Sequence, residues 1–156
     1  MNWEVECQKI SRGIRERVLE HTINHGGYLS QACSSAEIFS ILYNKSMKLG
    51  PSEGLFSTHK FEGTPSVNNP HPQKGFLYNG AKNPDLDRFF LSPSHYALTL
   101  YAALIETKRL NDKSLKEFNK DGSVLDMIGS EHSPGHETNG GSFAVSYTHL
   151  TLPTNA

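Results

Sequence analysis

Three short stretches set a histidine beside small residues at the edge of an element: "NHGG" at 24–27, "SPSH" at 92–95 and "PGHETNGGS" at 134–142. An imidazole can take or give a proton near neutral pH. A strand that turns through a capped end into a helix also aims backbone amides and the positive helix end outward, which suits a phosphate or diphosphate. The histidines of these stretches, His25, His95 and His136, are therefore the candidates for proton transfer or anion contact. Gly140 and Gly141 would let backbone come close to an anionic ligand. Each stretch also has a plainer reading: His25 as a polar residue at a helix end, His95 as a satisfied histidine under a helix, the glycines as a turn. No metal site is expected. No pair at His-x3-His spacing has a third nearby ligand except the loose His132/His136 pair, which Pro134 and Gly135 interrupt.

The elements that must position these residues follow from periodicity. Trp3, Cys7, Ile10, Ile14 and Val18 recur at spacings of three and four, the stripe of an amphipathic helix that should stop near Gly26 and Gly27. A second helix is expected from Ser34, which stands at capping-box spacing from Glu37. Residues 50–87 turn rich in Pro, Gly, Asn and His and read as a long surface loop or arm. Residues 88–91 suit a short buried strand, with Ser92 as N-cap and Pro93 in the first turn of the helix that follows. From 96 to 105 that helix is apolar nearly all round and must be covered on more than one side, which predicts a layered protein larger than this chain. A short helix capped by Asp112 or Ser114 and a strand over 124–128 complete the expectation.

Composition narrows the function. Fifteen Lys plus Arg against sixteen Asp plus Glu give a formal charge of −1, so neither nucleic acid nor an acidic membrane is an expected partner. Two cysteines and no long apolar span predict a reduced, cytoplasmic location. The 156 residues suffice for one domain.

Order and spacing say more than any single motif. The run "DRFFLSPSH", the helix "LYAALIE" and, some thirty residues on, "PGHETNGGSFA" resemble the N-terminal part of transketolases, and the resemblance extends from about Ile10 to Ala144. It implies an α/β thiamine diphosphate-binding fold, a parallel sheet flanked by helices, incomplete and mostly helical here. It also implies transfer of a two-carbon ketol unit between sugar phosphates, with thiamine diphosphate and Mg2+ as cofactors and a homodimer or two-subunit assembly. By position, His95 is similar to the histidine that contacts the cofactor, and Gly141, Ser142 and Phe143 to the stretch whose backbone lies along it. His25 resembles the histidine that faces the donor sugar. Ser130 stands where the family has a further histidine, and His132 or His136 is the candidate to take its role, with His132 carried as the site residue. Ser94 replaces the usual glycine before His95, and Phe143-Ala144 stand where Leu-Gly is usual.

The tail departs from that pattern. "VSYTHLTLPTN" at 145–155 back-translates to a string resembling a sequencing-library adaptor, so residues 1–144 are expected to be a partial N-terminal domain and 145–156 a non-native tail. Such a fragment is expected to be inactive and to expose apolar surface on the 96–105 helix. The alternatives are a standalone His-rich binding or interaction module and another enzyme of the thiamine diphosphate superfamily.

Overall fold

A computed structural model of the chain describes residues 2–54, 58–63, 66–69 and 73–138. Helix α1, Trp3–His25, starts where the Asn2 side chain accepts from the Glu4 amide at 3.1 Å, with Glu4 and Glu6 complementing the positive helix end. Its buried stripe is Cys7, Ile10, Ile14, Val18 and His21, while Trp3 stays largely exposed. It stops as expected at Gly26 and Gly27, at φ +79° and +126°. Only glycine takes such angles without strain, and at Gly27 a Cβ would also lie 2.9 Å from Leu98 Cδ2.

Helix α2 spans Leu29–Ile41 and runs on into a π-helical turn, Leu42–Ser46. It begins five residues before Ser34, so the capping box is not formed: Ser34 Oγ donates to the Gln31 carbonyl and Glu37 pairs with Arg15 of α1. A capping box contributes about 1 kcal/mol. Extending the helix back buries Ala32 as well as Ala36 completely, and these small residues let α1 and α2 close on one another.

Helix α3, Ala97–Glu106, follows a 3-10 turn at Ser94–Tyr96, with no cap from Ser92. Every residue from Ala97 to Ile105 is buried, as the apolar run predicts. The cover comes from this chain itself. Helices α1 and α2 pack on α3, and Tyr78, Leu110, Phe118, Val124 and Leu125 belong to the same core. The expected exposed face is thus absent from the described residues. Arg17 Nη2 lies 2.7 Å from Glu106 Oε1 and ties α1 to the end of α3.

The expected parallel sheet is overturned: the described residues contain no strand, only an isolated bridge between Ser66 and Asn69. Over 88–91, Phe89 and Leu91 are buried and Phe90 is exposed, the alternation of a strand. A strand also needs a neighbour to take its backbone hydrogen bonds. Here the Phe89 amide donates instead to the Glu137 carboxylate at 3.2 Å. Over 124–128 the Leu125 carbonyl accepts from the Asn119 amide at 2.8 Å, again a turn rather than a ladder. The helix expected from Asp112 or Ser114 is one 3-10 turn, Ser114–Glu117, whose entry is fixed by Asn111 Oδ1 accepting from the Lys113 amide.

Residues 50–87 are not a surface arm throughout. Their apolar cluster forms a 3-10 helix, Gly75–Asn79, that enters the core, and Tyr78 and Asn79 are almost fully buried. Arg109 holds the segment, donating to the Tyr78 and Gly50 carbonyls at 2.9 Å each. Gly75 permits this docking, because a Cβ there would meet the carbonyl oxygens of Ser133, His136 and Glu131 at 2.2, 2.4 and 2.7 Å. No helix of the described residues is long and apolar enough to cross a membrane.

Candidate functional site

Asn79 and Glu137 anchor the turn that leads into the glycine-rich stretch. Asn79 Oδ1 accepts from the Tyr43 hydroxyl at 2.9 Å, and its amide nitrogen donates to the Gly135 carbonyl at 3.0 Å and to Glu137 Oε1 at 2.8 Å. Glu137 also accepts from Arg88 Nε at 2.7 Å, while Arg88 Nη2 makes a 2.6 Å ion-pair contact lacking hydrogen-bond direction. Arg88 is fixed in turn by the Gly80 and Ala81 carbonyls. Every polar atom of this buried carboxylate is occupied, so Glu137 serves as an anchor in this arrangement. Sequence reasoning assigned it no role, although it is the acidic residue of "PGHE".

His95 stands in the turn that opens α3, with its ring edge-on to Tyr28 at 6.1 Å and to Tyr96 at 4.9 Å. Its Nδ1 is buried and has no hydrogen-bond partner. The neighbouring Ser94 carbonyl accepts from the Gly129 amide at 3.1 Å, which ties the start of α3 to the turn carrying 126–136. Tyr28 follows the end of α1, so one ring brings that end against His95.

His132 is held between two groups: Nε2 lies 2.5 Å from Asp126 Oδ2, and Nδ1 lies 2.9 Å from Ser130 Oγ. Phe61 packs against the ring at 4.9 Å. A carboxylate on one imidazole nitrogen fixes the orientation of the ring. Ser130, the residue standing where the resemblance calls for histidine, is thus bonded to the candidate replacement. His136 is unsuited to that role: it is fully buried, and burial pushes its imidazole down to about 4.

His25 does not join either group. Its ring lies 5.0 Å from that of His21, and both line a groove with Lys116 and Phe118. Gly141, Ser142 and Phe143 lie outside the described residues, as does the whole 145–156 tail. Among the described residues, no group of three or more His, Cys, Asp or Glu side chains is placed to hold a metal ion. Cys7 and Cys33 are both free, one buried and one exposed.

No family model matches the chain. It is 30% identical over 132 residues to a protein of Sinorhizobium fredii (strain NBRC 101917 / NGR234) provisionally named an uncharacterized transketolase family protein. The match covers 81% of this chain and 38% of that protein, so the chain spans well under half the length of the relative. The similarity supports a transketolase-like relationship and names no substrate.

Proposed function

We propose that this chain is the N-terminal, diphosphate-holding part of a transketolase-like transferase that moves a two-carbon ketol unit between sugar phosphates. The observation that carries the reading is His95 Nδ1, a buried polar atom with no protein partner at the opening of α3. Buried polar groups are almost always satisfied, so an orphan atom beside an uncapped helix start fits a polar ligand such as a diphosphate. When bound, thiamine diphosphate supplies the nucleophilic carbon that cleaving a ketose requires.

The chain's own residues hold and orient. His95 would give the cofactor a hydrogen bond, Gly141, Ser142 and Phe143 are the further residues assigned to hold it, and Glu137 fixes the turn that precedes them in sequence. His132, clamped by Asp126, is placed to hold a proton, and His25 contributes to the substrate channel. Magnesium finds no ligand set among the described residues, so none of them is assigned to it. Sugar phosphates as substrates and a homodimeric or two-subunit assembly belong to the same proposal, as does the non-native character of residues 145–156.

The test starts at the source locus, where the reading frame is resequenced past Ala144 and the intact protein is titrated with thiamine diphosphate and Mg2+. Saturable binding is expected, weakened about tenfold or more by His95→Gln, the value of one hydrogen bond to a charged ligand. Unaltered affinity in His95→Gln, or no binding by the intact frame, overturns the reading.

A further inference from the structure

We propose that His21 and His25 form a binding site for a divalent transition-metal ion at the C-terminal end of α1. Spacing of i and i+4 places both imidazoles on one helix face, and their ring centroids are 5.0 Å apart at 46°, close enough for one ion to engage both. The two side chains line a groove of about 480 Å³ between α1 and residues 115–120. His21 is 8% exposed, and its Nε2 is buried without a partner. The Phe118 ring packs against the His21 ring with centroids 4.8 Å apart and planes near perpendicular, and the soft terminal torsion of His21 leaves its ring free to turn.

The helix end favours a cation. The last carbonyls of α1 carry partial negative charge at this end, the polarity that attracts cations and repels anions. Lys116 and Lys120 also line the groove, with Lys120 paired to Glu117 at 3.5 Å. Glu20 and Asp112 edge the adjoining pocket together with Lys116 and with Arg17, which is itself paired to Glu106. Two imidazoles and solvent suit Cu2+, Ni2+ or Zn2+, with Cu2+ held tightest.

This site shares His25 with the proposed substrate channel, and its test is kept apart from that reading. It is tested on the metal-stripped 156-residue chain without thiamine diphosphate, so either idea can fail alone. Ni2+ is titrated calorimetrically in phosphate-free buffer, and Cu2+ coordination is read by electron paramagnetic resonance. One strong equivalent is expected, with two coordinated nitrogens. His25→Gln, an exposed substitution, should weaken binding about tenfold or more through loss of chelation and leave one nitrogen in the spectrum. Affinity within about twofold of the parent chain, or an unchanged nitrogen count, overturns the assignment.

Discussion

Lowering the pH from 7.5 to 5.5 should destabilise this protein through one buried ring. His136 Nδ1 lies 3.4 Å from the Pro134 carbonyl, and Nε2 has no partner. A carbonyl can only accept, so Nδ1 carries the hydrogen and Nε2 presents a bare lone pair to the interior. Gly129 packs against that nitrogen so tightly that a Cβ there would sit 2.1 Å from it. A proton added at Nε2 would put an unpaired charge in a packed core. Burial therefore pushes the imidazole down to about 4, against smaller upward pulls from the Pro134 carbonyl and Asp126. In the unfolded chain it titrates near ~6.5. Between those values the unfolded chain binds a proton that the folded chain refuses, so stability rises with pH across the window. The contribution is intact above the unfolded value, declines as pH falls, and levels off below about 4. The full effect is on the order of 3 kcal/mol, and about 1.4 kcal/mol of it is lost at pH 5.5. His21 and His59 are shifted in the same direction by burial and steepen the slope. Urea denaturation at the two pH values measures it, and the His136→Gln variant isolates the share of this ring. A pH dependence identical in the parent chain and the variant would refute the reasoning.

Gly75→Ala should cost about 3 kcal/mol or prevent folding, because the new methyl meets three backbone carbonyls that cannot rotate away; a melting temperature within ~1 °C of the parent would contradict the docking of residues 75–79. Glu137→Ala should cost about 3–5 kcal/mol by stranding Arg88 and Asn79. The double variant Glu137→Leu/Arg88→Met should recover part of that loss in chemical denaturation, and equal losses in single and double variants would show that the ion pair is not what holds the turn.

Local signals were legible where a residue and its structural partner lie close in sequence. The stripe from Cys7 to Val18 and the stop at Gly26-Gly27 give α1, and the apolar run gives α3. The start of α2 was not legible, because the Ser34/Glu37 cap competes with burial of Ala32, which only the packing of α1 on α2 reveals. Residues 88–91 carry the alternation of a strand, yet alternation records only which side chains are buried. What their amides bond to is decided by Glu137, nearly fifty residues on. The same distance hid the site's anchor: Asn79, Arg88 and Glu137 are unremarkable one at a time and become a unit only once the chain brings 75–79 beneath 133–137. His95 could be singled out from its place before a helix, whereas its unpaired nitrogen is a property of the packed structure alone.

Helix α3 is enclosed by chain that precedes it and by chain that follows it, and this sets the order of events during synthesis. The nine residues that become buried in α3 leave the ribosome after α1 and α2, but Leu110, Phe118, Val124 and Leu125, which belong to the same core, emerge later. Until they do, the segment is a target for chaperones and for its own kind. Once they have docked, exposing α3 requires displacing packed chain on either side of it in sequence, so its amide hydrogens should be the slowest among the described residues to exchange with solvent and should report the stability of the whole.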